Sequence, residues 1–454
     1  MRELFKSMFR RDSFAHNTLL MSSATVWGIV IQFAFAPILS AIYPPEVYGQ
    51  FSIYAVLLAV GATIISLGFS RALLLPRTDE ELAPLLRLSF VLTVAVGLLF
   101  TALFAVFGPA VGRSLGLDGM DLWLRLAGFF AAISAIEMLI ASWGLQQRAY
   151  RVLSKLSIPT NLSAKFFNVG YGLGIAPTVG GLILTNTLVS AARSVLVVRM
   201  ALSRTLPMAF KRLGRSDFKA VLTTYRDYPL YMVWSLLLSQ ASNYIPALLF
   251  PFFLEGTREI GLFAYAVMLL ELPTRVLSNG LSNVFMQEGN LDWENERERL
   301  QAKTYRMFRY LTALSAVTVV LVYLLAPPLF GVIFGAEWHD AGRVSAILVS
   351  SYGIRYISTP LMGVFLMARR ESLQMVMQGL LFGLRGLGIV IPGFAGWGFT
   401  GMLIGFGVAN LVAHAVLALT AFHLLGSRGY RMREVTLWCL VFCACGGLLM
   451  AAAA

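Results

Sequence analysis

Thirteen apolar stretches, each about as long as a bilayer is thick, follow one another along the chain and are joined by short polar connections. A helix needs about 20 apolar residues to cross the hydrocarbon core. The stretches lie near residues 18–42, 50–70, 88–110, 122–145, 160–180, 181–200, 229–252, 258–287, 305–327, 341–368, 373–392, 396–425 and 434–452. Only 13% of the residues are charged, against about 25% in soluble domains. The pattern predicts an all-α polytopic membrane protein, because a spanning helix satisfies its own backbone hydrogen bonds.

Basic residues are concentrated in alternate connections between these stretches, whereas the opposite connections hold only Arg113, Arg258 and Arg343. Cytoplasmic connections carry the excess of Lys and Arg in membrane proteins, which predicts a cytoplasmic N-terminus. The formal net charge of +13 then reflects topology rather than nucleic-acid binding. Residues 1–15 are basic and amphipathic, so they are expected either to lie on the inner membrane surface or to form a frayed basic tail.

The second half of the chain repeats the first at a shift of 212 residues, which aligns Gly49 with Gly261 and Gly68 with Gly280. Seven of the 22 positions from 49 to 70 are identical at this shift. Each repeat has six spans, which predicts two like-oriented six-helix bundles around a central cavity, plus an extra C-terminal helix. The predicted domains are a cytoplasmic amphipathic segment at 1–15, an N-terminal bundle at 16–200, a basic cytoplasmic linker at 201–228, a C-terminal bundle at 229–425 and the extra transmembrane helix at 434–452.

Apart from charges at the edges of the stretches, which are counted with the adjoining connections, eight charged residues fall inside the predicted spans, and a charge at mid-membrane costs about 2.5–3.5 kcal/mol on insertion scales. Such residues therefore tend to face a partner or a water-filled cavity. Six of them are basic and two acidic: Arg125, Lys165, Arg193, Arg275, Arg355 and Arg385, with Glu137 and Glu271. The first three basic residues lie close enough to a span end to extend to the interface. The excess of positive charge favours an anionic ligand, and the planar guanidinium suits phosphate; a cationic drug is disfavoured.

The segment "LLELPTR" at 269–275 places Glu271, Pro273 and Arg275 within one apolar run. Glu271 and Arg275 are four residues apart and share one helical face, and Pro273 between them is expected to open the helix. The aligned positions of the first repeat are Ala59 and Thr63, so the scaffold does not require the charges. Glu271 has two possible roles, counter-ion to Arg275 or proton carrier, since burial favours a neutral carboxyl group.

The remaining motifs indicate helix packing rather than a catalytic or ligand-binding role. "GPAVGRS" at 108–114 lacks the lysine and spacing of a phosphate-binding loop, and no extramembrane loop exceeds about 30 residues. The sequence therefore predicts neither catalytic residues nor a metal site, so the protein is not expected to be an enzyme. Glycine pairs at 170/174 and 401/405 have the spacing of close helix packing. The cysteines lie together in the last span and are expected to behave as small apolar groups: Cys439, Cys443 and Cys445.

Several segments resemble bacterial polysaccharide-export flippases, the O-antigen and lipid-linked oligosaccharide branch of the multidrug/oligosaccharidyl-lipid/polysaccharide exporter superfamily. They occur in the order "APILSAIYPPEVYGQFSIYAVLLAVGATIISLGFSRALL", "LQQRAYRVLSKLSIPTNLSAKFF", "LFGVIFGAEWHDAG" and "PLMGVFLMARRESLQMVMQGLLFGLRGLGIVIPGFAGWGFTG". Together they cover most of residues 15–425. The resemblance implies that the protein flips undecaprenyl-pyrophosphate-linked oligosaccharide from the cytoplasmic to the periplasmic leaflet of the bacterial inner membrane.

That function would serve the synthesis of O-antigen, capsule or exopolysaccharide, with a polymerase and a chain-length regulator as expected partners. No cofactor is expected beyond coupling to a H⁺ or Na⁺ gradient. The candidate pyrophosphate ligands are Lys165, Arg193, Arg275, Arg355 and Arg385. The candidates for ion coupling or for a counter-ion are Glu271 and Glu137.

Four alternative functions fit the sequence less well. A multidrug or metabolite cation antiporter and a lipid II flippase belong to the same superfamily. Multidrug extruders typically carry an acidic residue in the first span and lipid II flippases carry arginines there, but the first span here is uncharged. A membrane polymerase or glycosyltransferase needs a large outer loop with acidic or histidine residues, which is absent from the sequence. A structural scaffold would not need six basic residues within its spans.

Overall fold

The computed structural model describes residues 14–76, 78–203, 205, 207, 215–274, 293, 296–427 and 429–454. Within these residues every regular element is helical, which confirms the predicted all-α fold. Nine of the described helices are long and apolar enough to cross a membrane, so the chain is a multi-pass membrane protein. The chain divides into two compact units. Unit 1 comprises Met1–Tyr43 and Gln50–Gln240, and unit 2 comprises Pro44–Gly49 and Ala241–Ala454.

The helices of the first half are mostly long and apolar: α1 (Phe14–Ile42), α2 (Pro45–Ile65), α3 (Phe69–Ala72), α4 (Asp79–Ser114), α5 (Asp121–Gln146), α6 (Tyr150–Gly174), α7 (Val179–Val197) and α8 (Arg215–Thr224). α4 begins with the residues that typically stabilise the N-terminus of a helix. Thr78 caps it by accepting a hydrogen bond from the Glu81 amide, and its first turn carries three acidic residues that complement the helix dipole. One hydrophobic core of unit 1 contains Trp143, which is fully buried among leucines.

The second half contains α9 (Val233–Leu249), α10 (Arg258–Pro273), α11 (Arg297–Phe334), α12 (His339–Met367), α13 (Glu371–Phe394), α14 (Gly398–Leu424) and α15 (Tyr430–Ala453). α12 is buried along nearly its whole length and lies inside unit 2. A helix that is buried on all sides presents every side chain to another helix. Any ionisable residue on α12 must therefore find its partner within the protein or in a cavity.

The first turns of α2 and α10 pack against each other in unit 2. Their contacts are reciprocal between positions that the sequence repeat aligns. An added Cβ at Gly49 would overlap the Thr257 carbonyl oxygen, and one at Gly261 would overlap the Pro45 carbonyl oxygen. Residues 45 and 257 are aligned by the same 212-residue shift that aligns the two glycines. In a two-fold interface, when one residue contacts a second, the equivalent of the first contacts the equivalent of the second. The contacts of Gly49 with Thr257 and of Gly261 with Pro45 follow this rule. The repeat read from the sequence is thus reflected in local structure.

An ion pair extends the same arrangement. The carboxylate of Glu46 lies 3.5 Å from the guanidinium of Arg258, and these two positions are also aligned at the 212-residue shift. Arg258 reaches Asp340 as well, at 3.7 Å. Next to this crossing, the ring of Trp338 packs against Tyr265 with ring centroids 4.3 Å apart and edge-to-face against Tyr48. The crossing is therefore held by close backbone contact, charge pairing and aromatic packing.

Each of the thirteen predicted spans overlaps one of these helices, and the extra C-terminal helix is present as α15. The span predicted at 258–287 is described only as far as residue 274, and the predicted amphipathic segment at 1–15 lies almost wholly outside the described residues. The domain boundaries and the pair of like-oriented six-helix bundles stay predictions. The close packing expected at the 170/174 glycine pair is wrong, because an added Cβ at either glycine would meet no described atom within 4 Å.

Candidate functional site

The ionisable residues of unit 2 gather around Arg355 on the buried helix α12. Nη1 of Arg355 lies 3.1 Å from Oε1 of Glu271 on α10, and both side chains are 21% exposed. Glu271 therefore has Arg355 as a counter-ion. Its predicted partner Arg275 lies outside the described residues. A charge-assisted bond of this length is strong, and the remaining exposure leaves room for a ligand to approach the guanidinium.

Two tyrosines fix the position of Arg355. The guanidinium carbon lies 5.7 Å from the ring centroid of Tyr352, one turn earlier on α12, within the range of a cation–π interaction. Tyr356 donates a hydrogen bond of 2.8 Å to the Leu270 carbonyl oxygen and so ties α12 to α10 next to Glu271. We call these four residues, Glu271, Tyr352, Arg355 and Tyr356, the Arg355 cluster. Its geometry holds a guanidinium in a fixed position beside an aromatic ring.

A second arginine, Arg385 on α13, is only 4% exposed and is surrounded by uncharged acceptors. Its Nε donates to Asn410 Oδ1 at 2.8 Å, and its Nη1 donates to the Ser242 carbonyl oxygen and hydroxyl at 2.9 and 3.0 Å. Its Nη2 lies 3.1 Å from His414 Nε2. Among the described residues no carboxylate lies within ion-pair distance of Arg385, so its positive charge is solvated by dipoles rather than neutralised.

The chemistry of these contacts assigns the tautomer of His414. Arginine has no acceptor, so Nε2 of the ring must accept and the proton of the neutral ring sits on Nδ1. Nδ1 lies 2.7 Å from the Ser358 hydroxyl, which in turn donates to the Arg355 carbonyl oxygen at 3.3 Å. This chain of bonds links Arg385 to the backbone that carries Arg355. We call Arg385, Ser242, Asn410, His414 and Ser358 the Arg385 network.

Replacing Arg385 with lysine is expected to destabilise the protein although the charge is kept. A lysine ammonium is a compact point charge, and it cannot reach acceptors spread around a planar fork. Each acceptor left unsatisfied in the interior costs about 1–3 kcal/mol. Thermal unfolding of the purified protein followed by size-exclusion chromatography should show a lower Tm than the wild type. Arg306→Lys, at an exposed position of α11, should leave the Tm unchanged; equal Tm values for both variants would contradict the assigned network.

Unit 1 contains a second ion pair, between Arg193 on α7 and Glu137 on α5. The charged atoms are 3.9 Å apart, and the side chains are 32% and 27% exposed, respectively. Glu137 lines a cavity of about 360 Å³ with residues of α2, α5 and α7 and with Gln240 of α9. The structure therefore brings together one predicted phosphate ligand and one predicted coupling residue, and each neutralises the other.

The remaining basic residues predicted within spans lie in different surroundings. Arg125 donates to the Ala105 carbonyl oxygen at 2.8 Å near the surface of unit 1. Lys165 on α6 is partly exposed and makes no hydrogen bond or ion pair with any described residue. The substrate roles predicted for the basic residues stay predictions.

Sequence reasoning missed the neutral polar partners of these charges. Asn410 and His414 are four residues apart on the apolar helix α14, so they share one face. That spacing was the available signal, since polar residues within an apolar span tend to face a partner. Ser242 gave no such signal, because small hydroxyl residues satisfy their own helix backbone so often that a serine in a span carries little information.

The fold defined by these elements is that of membrane transporters. It is similar to the lipid II flippase MurJ in an inward closed conformation (TM-score 0.69, 13% identity, covering 96% of this chain and 98% of that one). It is also similar to an inward-facing multidrug resistance MATE transporter of the MOP superfamily (TM-score 0.62, 16% identity, 94% and 99% covered). A third similar structure is a MOP superfamily transporter from Pyrococcus furiosus with a binding pocket of reversed polarity (TM-score 0.56, 16% identity, 90% and 95% covered).

The chain belongs to the polysaccharide biosynthesis protein family, whose pattern matches residues 26–343. No curated protein matches the sequence. The chain is therefore a multi-pass membrane protein of the polysaccharide biosynthesis family, with a fold similar to that of solved membrane transporters.

Proposed function

We propose that this protein is a flippase for undecaprenyl-pyrophosphate-linked oligosaccharide in the bacterial inner membrane. It moves the headgroup from the cytoplasmic to the periplasmic leaflet by alternating access, while the lipid tail stays in the bilayer. The product then enters O-antigen, capsule or exopolysaccharide synthesis, with a polymerase and a chain-length regulator as proposed partners. The N-terminus is proposed to lie in the cytoplasm, on the basis of the distribution of basic residues.

The observation that carries this proposal is the unbalanced positive charge of unit 2. Arg355 and Arg385 are buried or nearly so, and among the described residues only Arg355 has a carboxylate partner. An interior with excess positive charge attracts an anion, and a fixed guanidinium fork matches the oxygens of a phosphate. A cationic drug would be repelled, which argues against the multidrug antiporter as the second candidate. The family match to polysaccharide biosynthesis proteins supports the same substrate class.

In this mechanism the diphosphate meets Lys165 or Arg193 only in passing, on entry from the cytoplasmic side, and comes to rest at the arginines of the second half, Arg275, Arg355 and Arg385. Arg355 is the best placed of these for direct contact, since its side chain is one-fifth exposed. Arg385 is enclosed by its network, and its charge acts over a distance and through the position of Arg355. Glu271 or Glu137 carries the coupling ion, H⁺ or Na⁺.

The test is genetic complementation in the bacterium that encodes the chain. Deleting the gene is expected to abolish surface polysaccharide and to leave lipid-linked oligosaccharide on the cytoplasmic side, and the wild-type gene should restore export. The Arg275→Ala variant at normal protein level is expected to restore it poorly; full restoration would remove Arg275 from the proposed path. If the deletion left surface polysaccharide intact and raised sensitivity to cationic drugs, the flippase proposal would be wrong and the antiporter correct.

A further inference from the structure

The cavity of unit 1 differs in chemistry from the arginine sites of unit 2. It has a volume of about 360 Å³, within the range of roughly 300–1,000 Å³ of small-molecule sites. Resting on the proposed function, we propose that this cavity binds neutral, hydroxyl-rich sugar residues of the lipid-linked oligosaccharide. The unit 1 cavity is then the part of the protein that recognises the sugar.

The first argument is the charge of the cavity. Glu137 is its one charged lining residue among those described, and Arg193 neutralises it from the neighbouring helix. The hydroxyl of Ser190 lies within hydrogen-bonding reach of the same carboxylate. A site with no net charge selects neither an anion nor a cation, but the paired carboxylate and guanidinium still offer acceptors and donors to a neutral ligand.

The second argument is the set of polar atoms left open in the cavity wall. Asn186 donates its amide hydrogen to the Leu182 carbonyl oxygen at 2.7 Å, and Gln240 donates its amide hydrogen to the Thr63 hydroxyl. Their side-chain carbonyl oxygens have no partner among the described residues. Two oriented amide oxygens fit a ligand whose polar groups donate hydrogen bonds, as sugar hydroxyls do.

The third argument is the apolar part of the wall. Phe51 and Leu58 of α2, Met138 of α5 and Ile183 of α7 line the cavity beside the polar atoms. A pyranose ring has an apolar face of C–H groups and a rim of hydroxyls, so it can contact both parts of such a wall at once. Selective sites combine a mostly apolar lining with a few placed polar groups in this way. A lipid tail would leave the amide oxygens unsatisfied, which is costly in a low-dielectric site.

The experiment measures protection of a cysteine placed in the cavity wall. The purified full-length protein, with its three native cysteines replaced by alanine and with Thr187→Cys, is reconstituted in lipid nanodiscs. A small methanethiosulfonate reagent labels the cysteine alone, with undecaprenyl diphosphate, or with lipid-linked oligosaccharide extracted from the host. Labelling is expected to slow at least threefold with the oligosaccharide and to be unchanged with the diphosphate. The matched control is Thr178→Cys, exposed at the start of the same helix, which should label equally in all three samples.

A companion variant keeps the reporter and removes one polar contact. Asn186→Leu in the Thr187→Cys protein is expected to abolish the protection by oligosaccharide. Equal protection by undecaprenyl diphosphate would assign the cavity to the lipid diphosphate and overturn the proposal, as would unchanged labelling in both samples. Complementation of surface polysaccharide by the wild-type gene is scored separately, so a failure of this inference is distinguishable from a failure of the proposed flippase.

Discussion

Replacing Arg355 with alanine is expected to reduce surface polysaccharide at least tenfold and to lower the amount of folded protein. The substitution leaves Glu271 on α10 without the guanidinium that now lies 3.1 Å away. Breaking a fully buried ion pair costs about 3–5 kcal/mol, and this pair, one-fifth exposed, is expected to cost somewhat less. Protein level in the membrane and surface polysaccharide, both measured in the complemented deletion strain, report the two losses separately.

The double variant Arg355→Ala with Glu271→Gln separates the two roles of the arginine. Neutralising the carboxylate removes the uncompensated charge, so the protein level is expected to recover towards wild type. Export is expected to stay low, because the fork that would bind the diphosphate is still missing. Recovery of export in the double variant would show that Arg355 serves only to neutralise Glu271. Arg299→Ala is the matched control: its ion pair with Glu296 is more than half exposed, and such pairs contribute about 0–1 kcal/mol.

The sequence predicts the helices of this protein well because the bilayer constrains each of them in the same way. Every span must be apolar, about 20 residues long and internally hydrogen-bonded, so each one leaves a readable stretch. The 212-residue repeat was also readable, since the glycines at its equivalent positions are required by the crossing of α2 and α10. The sequence does not mark which residues are neighbours in space: the spacing of the 170/174 glycine pair predicts a packing site, but no described atom lies within 4 Å of an added Cβ at either residue.

The sequence identifies which charged residues form the candidate site, but it does not predict which of them pair with each other. The depth of Arg355 and Glu271 within their spans identified both residues as buried ions. Their contact, however, joins residues 84 positions apart, and the sequence offered a nearer partner for Glu271 four residues away. Likewise, the sequence predicts for Arg193 either a phosphate ligand or a side chain that extends to the interface, whereas the structure gives it Glu137 as a neighbour. Helical spacing predicts contacts within one helix, whereas contacts between helices depend on packing angles that no local pattern encodes.

The crossing of α2 and α10 leads to the second prediction of large effect. Gly261→Ala is expected to destabilise the protein severely, because the new Cβ would overlap the Pro45 carbonyl oxygen and only a shift of backbone could relieve it. Overpacking costs about 1–3 kcal/mol where side chains can adjust, and a backbone obstacle is expected to cost at least as much. Thermal unfolding of the purified protein measures the loss as a fall in Tm, and the yield of monodisperse protein measures it as a fraction folded. An unchanged Tm would contradict the close contact between the two helix starts.

The matched control is Gly170→Ala, a helical glycine of α6 with no described atom within 4 Å of an added Cβ. Alanine is favoured over glycine within a helix by about 1 kcal/mol, so this variant should be as stable as the wild type or more so. Gly49→Ala should act like Gly261→Ala, because its Cβ would meet the equivalent oxygen of Thr257. The double variant should lose less stability than the two single losses added together. Once one Cβ has forced the helix starts apart, the second occupies space already opened, and residues in direct contact are not additive for this reason.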